Sequence, residues 1–158
     1  QRQIAACVRQ FGPVSENHGY KYIYLRLKHR MPTAHLRSTL KKLRIDTSRI
    51  LDLHFPDRCV AALLVHNDYA EELIAQLSAL GIQPHDLFDP LDPAIIRDPE
   101  LLATLDEAER REKARALHRT NLLRALAFIR VPVKFAVARS FVKSGWLEQT
   151  DVDAFFSS

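Results

Sequence analysis

The sequence predicts an α+β fold: a split βαβ unit followed by a helical extension. Three observations predict it. Residues 20–28 alternate strictly, with Ile23, Leu25 and Leu27 on one side and Tyr20, Tyr22, Tyr24, Arg26 and Lys28 on the other, the period of a strand with two unlike faces. Residues 59–66 are a continuous apolar run, as expected of a strand central in its sheet. From residue 99 onward the apolar positions recur only at helical spacing.

The elements follow in order. Residues 3–10 fit a short helix or a strand, and Gly12-Pro13 and a polar run lead from them into the strand at 20–28. Pro32 opens a helix, since a first helical turn loses nothing by lacking one N–H. Leu36, Leu40 and Leu43 form its apolar stripe, with Arg37, Lys41, Lys42 and Arg44 off it. Asp46-Thr47-Ser48 turns the chain into a strand at 49–55, where Leu51, Leu53 and Phe55 alternate with Ile50, Asp52 and His54. A tight turn at 56–58 leads to the apolar strand. Asn67-Asp68 caps a helix carrying Ala70, Leu73, Ile74, Leu77 and Leu80, and Gly81 stops it. Ile82-Gln83 offers a short last strand, limited by Pro84. Residues 86–98 read as an acidic, proline-rich linker. Beyond it come one or two helices over 99–130, another over 132–144 that Gly145 ends, and a last turn near 150–156. The division is therefore 18–85, an α/β domain; 86–98, a linker; and 99–158, a helical extension.

The order strand, helix, strand, strand, helix is that of a ferredoxin-like split βαβ sandwich, whose helices pack on one sheet face and leave the other open. Charge is segregated along this plan. Residues 17–45 hold no acidic side chain and eight lysines and arginines; 86–109 hold eight acids against Arg97; 110–143 hold ten cations against Glu112. The whole chain of 158 residues carries only +4. Such segregation points to a polyanion partner or to charge-steered contacts between chains, against the plainer reading of solvated helix faces.

The tyrosine face at 20–28 offers flat rings followed by cations, which suits bases and phosphates of a single strand. Its Ile23-Tyr24-Leu25 resembles the start of the RNP2 hexamer of RNA-recognition motifs, departing where that family has Asn-Leu and this chain has Leu27-Lys28. Arg58–Val65 resembles the RNP1 octamer in its leading cation, small fourth residue and aliphatic sixth, with Val60 and Ala62 where the family's rings stand. The resemblance covers roughly residues 20–83. It implies Tyr24 as a stacking residue and Arg58 as a cation on the backbone, while the second and third rings do not carry over. A looser resemblance is to gag-like nucleic-acid-binding proteins of LINE-type retrotransposons, although no zinc knuckle is present.

The expected function is non-catalytic binding of single-stranded nucleic acid, RNA before DNA. Tyr22 and Tyr24 stack on bases, and Arg26, Lys28, Arg30 and Arg58 hold phosphates. The alternative is a protein-interaction or self-assembly module built on the C-terminal aromatics, which include Phe128, Phe135, Phe141, Trp146, Phe155 and Phe156. Those helices lie over the sheet in one version, making the tyrosines core, and form an interface in the other.

No enzyme is expected. The four glycines make no phosphate loop, the histidines and Cys59 have no metal spacing, and Asp52 with His54 reads as a surface polar pair. No cofactor and no membrane span are expected. Cys7 and Cys59 do not make a disulfide framework; Cys59 reads as a buried free thiol, and the expected location is intracellular, cytoplasmic or nuclear. The start at Gln1 is read as that of a segment of a longer protein.

Overall fold

A computed structural model of the chain describes residues 19–157, and the expectation for residues 3–10 and Cys7 lies outside that range. The fold is α+β. Strands β1 (Tyr20–Arg26), β2 (Asp52–Asp57) and β3 (Val60–His66) form one antiparallel sheet in the order β1-β3-β2. The helices are α1 (Thr33–Lys42), α2 (Asn67–Ala79), α3 (Pro99–Thr104), α4 (Glu107–Phe128), α5 (Val133–Lys143) and α6 (Gln149–Ser157), with short 3-10 turns at Thr47–Arg49 and Pro93–Ile95.

β3 governs the layering. Its residues Ala61 to Val65 have no exposed surface at all, so both faces of the sheet are covered. On one face Ile23, Leu25, Leu53, Ala61, Leu63 and Val65 meet Leu36 and Leu40 of α1 and Tyr69, Leu73 and Leu77 of α2. On the other, Tyr22, Ala62 and Leu64 meet Leu122 and Leu126 of α4, Val137 and Phe141 of α5, and Leu147 and Val152 around α6. The expectation of an open second face is thus overturned. Ten large side chains from 122–152 pack in this second cluster, and the sheet supplies an apolar wall for them.

Two further departures have local causes. No strand forms after α2 among the described residues; a proline at 84 cannot donate to a ladder, and His85 N–H bonds to β1 at the Tyr24 carbonyl (2.7 Å). Regular β2 begins at Asp52, so Ile50 falls into the first core and Leu51 against the second, opposite to the predicted alternation. Segment 86–98 packs against the sheet end as well as linking: Arg97 makes a two-pronged bond to Asp57 (2.8 and 2.9 Å) and Phe88 lies on Tyr24 (4.8 Å between centroids). Its aspartates at 92 and 98 accept from the N–H groups of Ala94 and Glu100, which gives them capping roles.

Three helices end alike. After α1, Ile45 N–H reaches Leu40 O and Arg44 N–H reaches Lys41 O; Ile82 and Gly81 repeat this after α2, and Trp146 and Gly145 after α5. This double bond requires a left-handed residue, which glycine adopts freely. Arg44 does so at φ 66° where the others are Gly81 and Gly145. Arg44→Gly is therefore expected to raise stability by about 0.5–1 kcal/mol, the left-handed penalty less the added freedom of the unfolded chain, read as a higher urea midpoint at unchanged slope.

Candidate nucleic-acid interface

The pairing register sets the predicted tyrosines. Tyr22, Leu64 and Asp52 stand in one row across the sheet, and Tyr24, Ala62 and His54 in the next. All face α4 and α5. Tyr22 is 8% exposed, with Phe141 and Trp146 rings 6.4 and 6.0 Å from its own. Its hydroxyl donates to Asp52 Oδ2 (2.8 Å), which also accepts from His54 Nδ1 (2.7 Å). Asp52 and His54 are mostly covered, so the expected surface pair is an interior network that satisfies a buried phenol. Burial first, then the Asp52 carboxylate, pushes the Tyr22 hydroxyl well above its ordinary pKa. Tyr24 is half-buried under Phe88, and burial likewise raises its hydroxyl. Neither ring is presented to solvent as a stacking platform.

The predicted cations behave differently. Arg26, Lys28, Arg30 and Arg58 are all exposed. The antiparallel register runs Arg26 to Val60, and Leu27 N–H bonds to Cys59 O (2.8 Å); continuing it brings Lys28 opposite Arg58. Among the described residues none of the four pairs with a carboxylate within 4 Å. Arg26 meets the His85 ring (3.1 Å), and Arg30 lies over the Phe55 ring (5.7 Å), toward the α1 side of the sheet. Arg26, Arg58, His85, Phe88 and Arg97 line a groove of about 460 Å³ at this end of the sheet. Asp57, Asp89 and Asp92 share it, and Arg97 neutralises Asp57 and holds its carboxyl below the usual range.

The basic face expected on the first helix is divided. Arg37 is spent inside the fold, donating to the Thr47 and Ile50 carbonyls (both 3.1 Å), while Lys41, Lys42 and Arg44 are exposed on the side away from the tyrosines. Cys59 is free and half-buried, more accessible than expected of an apolar run. Sequence reasoning missed His85, Phe88 and Arg97. Arg97 had a signal, as the lone cation in an acidic stretch; the other two sit in a segment without periodicity. Among the described residues no cluster of His, Cys, Asp or Glu could hold a metal ion, and no helix is long and apolar enough to cross a membrane. Comparison with family models, with curated proteins and with solved structures finds no match.

The covered face makes two measurements informative. Phe141→Ala removes a fully buried ring and is expected to cost about 3–5 kcal/mol, with the Trp146 emission moving to the red as its neighbour at 5.5 Å is lost. His118 of α4 is held below its ordinary pKa of 6.5, by burial first and then by His54. A base so depressed binds fewer protons folded than unfolded, so its stabilisation is complete above pH 6.5 and is lost as pH falls toward the folded value. Wild type should lose stability from pH 7 to 5, and His118→Gln should lose less, as followed by urea midpoints.

Proposed function

We propose that this protein binds single-stranded nucleic acid, RNA foremost, without catalysis, and that it grips the phosphate backbone with the cationic end of its sheet. The observation that carries the reading is a set of exposed cations free of carboxylate partners within 4 Å among the described residues: Arg26, Lys28 and Arg58 at the end shared by β1 and the β2–β3 turn, with Arg30 beyond them over the Phe55 ring. Charges left unpaired at one place attract a polyanion and release its counterions on binding. With Tyr22 sealed and Tyr24 capped, base stacking contributes little, and phosphate contacts dominate.

We read residues 18–85 as a ferredoxin-like, RNA-recognition-like unit lacking its fourth strand. The strand order β1-β3-β2, the antiparallel pairing and the helices following β1 and β3 support that plan. So does the course of the chain after α2, where His85 bonds to the outer edge of β1 at the place a fourth strand would pair.

The test is fluorescence anisotropy of labelled single-stranded RNA and DNA across a salt series. Four phosphate contacts give a slope of roughly −3 in log K against log salt. Arg26→Ala/Arg58→Ala should weaken binding at least tenfold and make the slope shallower by roughly 1 to 2. Tyr24→Leu, which keeps an apolar plug but removes the ring, should change affinity less than twofold. A salt-insensitive complex, or a large loss in Tyr24→Leu with the fold intact, would sink the proposal.

A further inference from the structure

At the opposite end of the sheet, the start of β1 meets α5 in a recess of about 490 Å³. Gly19 lets the chain come in close: a Cβ there would stand 3.2 Å from Asn67 Nδ2 and 3.3 Å from Ser140 Oγ, and its φ is +145°. Asn67 N–H donates to Gly19 O (3.0 Å) and Tyr20 N–H to Ser140 Oγ (3.0 Å), which ties the strand to both α2 and α5. Ala136, Arg139, Ser140 and Lys143 fall at intervals of three and four along α5, so one stripe of that helix lines the recess. The Tyr20 ring lines it too, set edge-to-face with the His66 ring (5.1 Å). Four of these side chains carry donors without a partner among the described residues. Ser140 is 9% exposed; its oxygen accepts from Tyr20, and its hydroxyl proton has no acceptor. A buried donor left so is a deficit that a ligand or water corrects. The Tyr20 hydroxyl makes no hydrogen bond, and Arg139 and Lys143 are exposed with no carboxylate within 4 Å. Burial raises the Tyr20 hydroxyl above its ordinary pKa while the Arg139 guanidinium pulls it down, so the phenol stays protonated at neutral pH with a cation close by. No carboxylate lines the recess. Asp68 addresses His66 Nδ1 (3.6 Å), and Asp153, which shares the α5–α6 recess with Arg139, accepts from Gln149 (2.9 Å).

We propose that this recess binds a phosphate monoester, with Arg139 and Lys143 on its charge, Ser140 and Tyr20 donating to its oxygens, and the ester group lying along Tyr20 and Ala136. The donor set selects the ligand. Two cations match a group that carries about −1.5 to −2 at pH 7, where a phosphodiester or a carboxylate carries a single charge. Three terminal oxygens take hydrogen bonds from a strand and a helix at once. The volume exceeds that of a phosphate group and falls within the range of small-ligand sites, which leaves room for a nucleoside. A free nucleotide and the phosphorylated end of a strand present the same group. The recess lies at the Tyr20–His66 row, roughly 20 Å along β1 from the Arg26–Val60 row. It therefore shares no residue with the cationic end proposed to hold the backbone.

The test is titration of ¹⁵N-labelled protein with 5′-AMP and with adenosine up to about 10 mM, a range that covers dissociation constants into the millimolar. 5′-AMP is expected to shift the amides of residues 19–20, 66–67 and 139–144, and adenosine to leave them in place. Arg139→Gln/Lys143→Gln, at exposed positions, is expected to stay folded and to bind 5′-AMP at least tenfold more weakly, two charge-assisted bonds being lost. Arg26→Ala/Arg58→Ala is expected to bind it within twofold of wild type. RNA with a 5′-hydroxyl is expected to spare this end of the sheet. A 5′-phosphorylated strand that shifts these amides more strongly than 5′-AMP assigns the group to a strand end; one that acts as the 5′-hydroxyl strand does assigns it to a free nucleotide. Four results overturn the proposal: these amides unmoved by 5′-AMP, adenosine moving them equally, the Arg139/Lys143 double variant binding as wild type does, or the Arg26/Arg58 double variant losing the binding instead. None depends on contacts to a nucleic-acid backbone, so the two proposals fail separately.

Discussion

A central strand that is apolar on both sides has to be covered on both sides, and the rest of this structure depends on that. Ala61, Leu63 and Val65 of β3 face α1 and α2; Ala62 and Leu64 face the C-terminal helices. Leaving either set in water would forfeit about 25 cal/mol for each Å² of apolar surface, over the strand that pairs with both of its neighbours. The second cover therefore belongs to the same folding unit as the first. It also accounts for the tyrosines. A face roofed by Phe141, Leu122 and Leu126 selects rings that bury well, and Tyr22 brings a hydroxyl that must then find an acceptor. Asp52, one row partner away across β3, supplies it, and His54 completes the network.

The same constraint moves the surface proposed to bind nucleic acid. With both faces closed, the sheet meets solvent only at its rims and ends. The end that β1 and the β2–β3 turn share gathers Arg26, Lys28 and Arg58, because antiparallel pairing brings the exit of one strand beside the entry of the next. The segment after α2 then borders the groove, and Arg97 closes on Asp57 to remove one negative charge from it. The proposed site is thus a cationic end beside a short acidic loop rather than an aromatic platform, and its expected chemistry is electrostatic.

Much of the first layer was legible in the sequence. The alternation of Ile23 and Leu25 and the stripe of Leu36 and Leu40 name the buried residues directly, as do Leu73 and Leu77. The apolar run at 59–66 identified the central strand, and its composition already held the missing conclusion, that a strand with no polar face has no open side. Local spacing does not say which distant element covers a face. The helices at 107–128 and 133–143 show an apolar stripe but not its address, and Tyr20-Lys21-Tyr22 has the same pattern whether its rings meet a base or Phe141. The cations were easier, since exposed arginines remain arginines in either arrangement; Arg37 is the exception, because its use on the Thr47 and Ile50 carbonyls depends on a turn that periodicity does not locate.

The C-terminal helices and the sheet share one core, with the tyrosine face inside it, and so should open as one cooperative unit. Native-state hydrogen exchange of the full chain, with and without single-stranded RNA, tests this most directly. In a single cooperative unit the amides of β3, the second half of α4 and α5 are expected to exchange through the same global opening, with RNA slowing exchange only around residues 26–30 and 57–59. Helices that exchange at a much lower free energy than β3, or that lose protection when RNA binds, would show a cover that lifts and would contradict it.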